Sequence, residues 1–287
     1  MDVRAYWDAV DAELATVAPA AAIEPIPKRS TEDFTGYEMR LNSIGPYRIF
    51  GYLSVPTGAG PFPALLETPR YGSVINPPHY EDRLRYVTLT IAHRGQRLAD
   101  VPFAAEYPGL LTRGIDNSDE YIYRGIVADC LRAAEFLCEH PAADTGRIGI
   151  NGDDLALITA ARRPVFAAVR VRDLLFYRAA DKAADAATYP LRELRDHLRH
   201  KPSAGAAIRE SLSLLDVSHH VGAIHAPTLL CIGGDTPTPS DLVDAFPRPP
   251  ELYRSSHKGA IDQQAIDRWL GDRLGTGHGS RFMERLS

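Results

Sequence analysis

Cysteine is scarce in this 287-residue chain, and the three that occur, Cys130, Cys138 and Cys231, fit no metal-ligand spacing. Cys130 and Cys138 fall within a helical pattern of apolar residues, so all three are read as buried thiols and no metal site is expected. Long hydrophobic runs are missing as well: none approaches the length needed to cross a bilayer, and no membrane partner is expected. The segment Met1 to Val17 carries Asp2, Asp8, Asp11 and Glu13, so it lacks the basic start and apolar middle of a signal peptide, and the cytoplasm is the expected location. Charge of one sign is not in excess either. With 32 basic against 37 acidic residues, well mixed and summing to −5, there is no electrostatic footprint for nucleic acid. No internal repeat is present.

What is there describes an ordinary folded domain: 45% apolar and 24% charged residues can bury a core without staples. A first amphipathic helix, about Val3 to Val17, leads into a connector through Pro19, Pro25 and Pro27, where each proline removes a backbone donor and the chain reads as an arm. This arm, to about residue 36, precedes the main domain, expected over 37–274. Tyr37 to Asn42 and Tyr47 to Pro56 alternate apolar and polar about Gly45-Pro46, the pattern of a β-hairpin. Ala64 to Glu67 and Tyr86 to Ala92 are short apolar runs suited to buried parallel strands. From Tyr123 to Cys138, apolar positions recur at three and four, predicting a helix with one buried face. Arg147 to Ile150 reads as a strand, Leu155 to Arg162 as a short helix, and Val165 to Val171 as another strand. The alternation argues a doubly wound, mostly parallel sheet with helices on both faces. A charged, helical stretch over about 174–215 is expected to be an insertion over the sheet, with Arg192, Arg195, His197 and Arg199 forming a solvated face. Strands Thr228 to Ile232 and Glu251 to Arg254 and a closing helix, Ile261 to Leu274, follow, and the stretch 275–287 reads as a flexible tail.

In an open parallel sheet, ligands bind beyond the carboxyl ends of the strands, so polar residues just after predicted strands are the ones to weigh. Four places qualify: Arg70-Tyr71, His93-Arg94-Gly95-Gln96, Gly152-Asp153-Asp154, and Asp235 with His257. An acid after one late strand and a histidine after the next is the chain order of an α/β-hydrolase triad, in which the acid fixes the imidazole tautomer. The same two residues also suit a turn cap and a solvated loop.

Arg94-Gly95-Gln96 is similar to a motif of the acetyl xylan esterase and cephalosporin C deacetylase family. Glu120-Tyr121-Ile122-Tyr123-Arg124 with Asp129 and Arg132-Ala133 resembles the stretch that precedes that family's nucleophile. Asp144 with Arg147-Ile148-Gly149, Leu174-Leu175 with Arg178-Ala179, Tyr189-Pro190, Leu214-Leu215-Asp216-Val217, Ala226-Pro227-Thr228-Leu229 and the Gly-Gly-Asp ending at Asp235 follow in the family's order. The resemblance spans Val3 to Leu274. It implies an α/β-hydrolase fold, a small-molecule ligand of the acyl- or sugar-ester type, no cofactor, and a closed homo-oligomer.

The departures carry more information than the matches. The family's elbow reads Gly-x-Ser-Gln-Gly-Gly, whereas here Arg147 to Asn151 runs into Gly152-Asp153-Asp154-Leu155-Ala156 without a serine. Aligned without a gap, Asp154 takes the nucleophile position, between small residues at minus two and plus two. The preferred alignment instead matches the helix from Leu155 and deletes about three elbow residues, because the helix before Arg162-Arg163-Pro164 is otherwise too short for its usual packing. The family's His-Glu pair reads His257-Lys258, and Pro69-Arg70-Tyr71-Gly72 only approximates the segment that serves the oxyanion hole. The resemblance places Arg70, Tyr71, Arg94, Gln96 and Leu155 in the substrate and oxyanion region, and Asp154, Asp235 and His257 in the catalytic one. Three expectations follow: a silent serine esterase that still binds a small molecule, a hydrolase in which Asp154 attacks or activates water with His257 and Asp235, or a non-enzymatic scaffold. Asp153-Asp154 can equally be a helix cap with a neighbouring first-turn acid.

Overall fold

The computed structural model describes residues 2–72, 74–234, 236–256 and 259–277. Helix α1 (Val3–Ala15) opens the chain, capped by Asp2, whose side chain accepts from the Arg4 and Ala5 amides. Its apolar stripe, Trp7, Val10 and Leu14, is buried. The connector then departs from the reading of it as an arm. It contains a strand, β1 (Ala22–Pro25), which adds antiparallel to the edge of the sheet with Ala22 opposite Arg40. An edge strand needs donors on one side only, so prolines at its end are tolerated.

The hairpin β2 (Phe34–Ser43) and β3 (Tyr47–Pro56) pairs from Ser43 opposite Tyr47 to Phe34 opposite Pro56. There follow β4 (Phe62–Glu67), a single turn α2 (Tyr80–Arg83), β5 (Val87–Ile91), α3 (Ile122–Glu139), β6 (Ala143–Gly152), α4 (Asp154–Arg162) and β7 (Ala168–Val171). The segment expected as an insertion holds α5 (Ala179–Lys182), α6 (Arg192–His200) and α7 (Gly205–Leu215). Then β8 (Thr228–Ile232), α8 (Ser240–Asp244), β9 (Glu251–Arg254) and α9 (Ala260–Leu274) complete the described chain.

The nine strands of the described residues form one sheet in the order β1-β2-β3-β5-β4-β6-β7-β8-β9, in which the β1-β2, β2-β3 and β3-β5 pairs are antiparallel and every pair from β5-β4 to β8-β9 is parallel. The order reverses at β5-β4, which places a crevice at the carboxyl ends of β4, β5 and β6. Leu66, Ile148, Ile150 and Val169 point into the larger core shared with α3 and α4, whereas Leu65, Ala168 and Leu229 pack under Ile266, Trp269, Leu270 and Leu274 of α9. Near-continuous apolar strands are the consequence of cover on both faces.

The N-terminal helix is pinned to the sheet's helical layer: Trp7 Nε1 donates to the Leu214 carbonyl at 2.8 Å, and Arg132 Nη2 donates to the carbonyls of Leu14 and Val17 at 2.6 and 2.7 Å. Arg132 thereby satisfies the acceptors left open at the end of α1. The face of α6 read as solvated is engaged at one point, because His197 Nε2 and Lys201 Nζ both meet Asp116 at 2.8 Å and fasten the helix to the loop before α3.

Candidate functional site at the carboxyl ends of the central strands

Four in-register residues make a polar row across the end of the sheet. Glu67 on β4 lies beside Thr90 on β5 and Asn151 on β6, and Asn151 lies beside Arg170 on β7. Their side chains interlock: Asn151 Nδ2 donates to Glu67 Oε1 at 3.1 Å, Thr90 Oγ1 to Glu67 Oε2 at 3.4 Å, and Arg170 Nε to Asn151 Oδ1 at 2.9 Å. Pairing of this kind offsets the cost of burying polar groups. Glu67, Thr90 and Asn151 of this row form the floor of a cavity of about 400 Å³, whose walls include Thr68, Arg70, Tyr71, Ile75, Gln96 and Arg172.

The Arg-Gly-Gln motif contributes Gln96 to one wall, and each of its residues has a distinct task. Arg94 is 8% exposed and grips Asp129 of α3 with two bonds, Nε to Oδ2 at 2.8 Å and Nη2 to Oδ1 at 2.7 Å. The Ile44 carbonyl takes a third bond at 3.0 Å, and the Tyr47 ring lies 4.5 Å under the guanidinium. Arg94 is therefore an internal strut and not part of the cavity wall, contrary to its expected place in the substrate region. Gly125 makes room for it, since a Cβ there would sit 2.4 Å from the guanidinium. Gly95 has φ of +79°, and a Cβ on it would lie 2.5 to 2.8 Å from Phe103 and Ala105, so only glycine fits. Gln96 does reach the cavity. Its Oε1 accepts from the His93 amide at 3.2 Å and its Nε2 donates to the Gly72 carbonyl at 2.8 Å, which braces the loop holding Arg70 and Tyr71.

His93 supports the same loop from inside. Its ring is buried against Tyr107, whose hydroxyl lies 3.2 Å from Nδ1, and the Tyr107 ring meets Tyr71 edge-on at 5.4 Å. Burial drops the His93 imidazole to about 4, so it is neutral at physiological pH.

The β6–α4 junction is short. Asp153 is the single residue between them, and it caps α4 by accepting from the Leu155 amide at 3.0 Å. No residue of this junction has positive φ; among the described residues the non-glycine positions in that region are Ala20, Leu98 and Arg178. A strained elbow that projects a nucleophile is thus not formed here. Asp154 is the first helical residue and is 0% exposed. Its Oδ2 accepts a short hydrogen bond from the Leu175 amide, its Oδ1 is buried without a partner, and its side chain does not line the cavity. Burial first, and then the neighbouring Asp153 charge, push the Asp154 carboxyl well above the usual range. Asp153 moves up for the same first reason. Leu155 is buried in the core, with its carbonyl accepting from Thr159 Oγ1. Asp235 and His257 lie outside the described residues.

The raised Asp154 pKa carries a sign that can be measured. Between the unfolded carboxylate value of about 3.9 and the higher folded value, the native state holds more protons than the unfolded one, so stability falls as pH rises through that window. Asn is isosteric with the protonated acid and keeps an acceptor for the Leu175 amide. Asp154→Asn is therefore expected to match the parent near pH 4 and to gain on it by up to about 1.4 kcal/mol per pH unit through the window. Urea unfolding from pH 4 to 8 reads this; parallel stability curves for the two proteins would contradict it.

Sequence reasoning brought Arg70, Tyr71 and Gln96 to the cavity but missed Asn151, Glu67 and Arg172. The available signal was a pair of arginines, Arg170 and Arg172, alternating with valines at the end of a buried strand.

Three comparisons bear on this arrangement. The family model described as Acetyl xylan esterase (AXE1) matches residues 1–246. Acetyl esterase Axe7A of Xylanibacter ruminicola is 26% identical over 179 residues, which cover 57% of this chain and 41% of that protein. The chain thus spans well under half the length of that relative. Among solved structures, the acetyl xylan esterase from Paenibacillus sp. R4 superposes with a TM-score of 0.81 at 22% identity, covering 95% of this chain and 94% of that one. Acetyl xylan esterase 1 from Thermoanaerobacterium sp. JW/SL YS485 gives 0.74 at 22% identity, with 92% of each chain covered. The architecture is an α/β-hydrolase fold.

Proposed function

Since this chain belongs to the acetyl xylan esterase family, we propose that it keeps the family's hydrolase scaffold and a ligand cavity but has given up acyl transfer through a serine. One observation carries the reading: the stretch Asn151-Gly152-Asp153-Asp154-Leu155-Ala156, where β6 meets α4, offers neither hydroxyl nor thiol. An acyl-enzyme needs a side chain that can attack a carbonyl and later leave as an alcohol or thiol. The carboxyl at position 154 is a poor substitute, because it is fully buried, pushed by that burial toward its protonated form, and occupied with the Leu175 amide. The thiols do not replace it either. Cys130 is fully buried and its pKa is driven well above the normal range, and burial also raises Cys138 and Cys231, so none is an activated thiolate.

The same features weigh against a hydrolase that uses Asp154 as nucleophile or base, since a general base must be ionised and within hydrogen-bond reach of the reacting atom. The protein then acts by binding a small molecule of the acyl- or sugar-ester type, or a fragment of one, rather than by turning it over.

Labelling with a fluorophosphonate probe tests the proposal directly. Peptide mapping by mass spectrometry is expected to find no adduct on any residue. A hydroxyl of the cavity wall beside this junction is that of Thr68, which is bonded to the Asn151 carbonyl at 3.4 Å. An adduct on Thr68, or on a serine brought in from elsewhere in the chain, would restore serine- or threonine-esterase chemistry and end this reading.

A further inference from the structure

We infer that the cavity at the carboxyl ends of β4–β6 is a binding site for an organic monocarboxylate with an apolar body, held by Arg70 and Arg172. The inference rests on the preceding proposal that the cavity binds without hydrolysing, and it names the chemistry of what is bound.

The pairing pattern of the arginines is the starting point. Arg85, Arg94, Arg132, Arg162 and Arg163 are at least half-buried, and each is in an ion pair with an aspartate or glutamate. Arg70 and Arg172 line the cavity and form no ion pair among the described residues. Arg172 donates from Nη2 to the neutral amide oxygen of Gln263 at 3.0 Å, and its Nε is buried without a partner. Beneath it, Arg170 is 2% exposed and is bonded through Nε to an amide, Asn151, rather than to a carboxylate. Arg70 and Arg172 therefore meet at one end of the sheet without an ion pair among the described residues, while Arg170 beside them has the buried Asp82 carboxylate in range. Consistent with that, burial followed by the charges of Arg170 and Arg70 lowers the Arg172 guanidinium to about 10.

The acid in the wall is Glu67, and both of its oxygens are already used by Asn151 and Thr90. Arg70 and Arg172 outnumber Glu67 among the charged side chains of the wall, which favours an anion over a neutral ligand. A guanidinium fork matches the two oxygens of a carboxylate. The rest of the wall selects what the carboxylate is attached to: Pro69, Tyr71, Val74, Ile75, Pro77 and Ile91 give an apolar side to a space of about 400 Å³, which is ample for a ring or short chain. The braces from Gln96 and His93 hold the Arg70–Gly72 loop in place before a ligand arrives, which limits the ordering cost of binding.

Calorimetric titration of the full chain with benzoate tests this, with benzamide as the neutral isostere and inorganic phosphate as the competing oxyanion. Saturable benzoate binding is expected, with benzamide and phosphate each weaker by about tenfold or more, the share a charge-assisted pair supplies. Arg172→Met and Arg70→Met are each expected to weaken benzoate by about tenfold or more, and Arg97→Met, an exposed change outside the cavity, to leave it unaltered. Arg70 is on an exposed loop, so its variant gives the answer should Arg172→Met fail to fold. Absence of saturable benzoate binding, equal affinity for benzamide, preference for phosphate, or parent-like affinity in Arg70→Met would each overturn the inference. These readouts involve no turnover, so a negative result leaves the lost-nucleophile proposal standing, and a fluorophosphonate adduct on a hydroxyl leaves the titration unaffected.

Discussion

Purified protein is expected to hydrolyse p-nitrophenyl acetate on the order of a million-fold more slowly than a serine-bearing member of its family, the loss that removal of the nucleophile brings to such a triad. Installing the missing residue is not expected to help: Asp154→Ser should leave the rate where it was. The reason is positional. In a working elbow the nucleophile sits on a strained turn that lifts it above the sheet into the cleft. Here β6 ends at Gly152, Asp153 caps, and residue 154 already belongs to α4, fully buried and directed at the Leu175 amide. A serine hydroxyl at 154 would inherit that direction and would remain outside the wall of the cavity. Initial rates for parent and variant against a serine-bearing acetyl xylan esterase decide the matter. Turnover by Asp154→Ser within about a hundredfold of that enzyme would mean that the backbone at the junction is an elbow after all.

That junction also marks where the sequence stopped being informative. The hairpin, β4 to β7 and α3 are legible because each has a clean period and clear breakers, and periodicity is fixed by which face is buried. Even there, β7 starts at Ala168 rather than Val165, since Pro164 and Val165 form the turn that follows α4. β1 was not legible: Pro25 and Pro27 argue locally against a strand, and only the open edge of β2 makes one possible. Arg94 was misplaced for a related reason. It follows a central strand, the position that marks a ligand site, and nothing local reveals that Asp129, 35 residues on, captures it through the gap left by Gly125. Arg172 is the converse case, a residue whose place in a short valine-arginine alternation gives no hint that it faces a cavity and has no ion pair among the described residues.

The Arg94–Asp129 pair is expected to carry the largest single contribution to stability that one substitution can expose. Asp129 is 0% exposed on α3, and truncating it leaves the Arg94 guanidinium charged, buried and short of two of its acceptors. Removing one partner of such a pair typically costs 3–5 kcal/mol, so Asp129→Ala is expected to destabilise by about 4 kcal/mol and to lower the melting temperature by on the order of 10 °C. Arg94→Met should cost a similar amount, because it strands the carboxylate instead. The double variant Arg94→Met, Asp129→Leu is expected to recover about half or more of the loss, since two apolar groups leave no uncompensated charge in the core. The effect should also reach the cavity, because Arg94 fixes the segment from which Gln96 reaches the Gly72 carbonyl, and that bond positions Arg70 and Tyr71. Urea denaturation of the three variants checks the energetic order. A loss below about 1 kcal/mol for Asp129→Ala, the range of an exposed ion pair, would show that water reaches the guanidinium and that this strut does not hold the cavity wall in place.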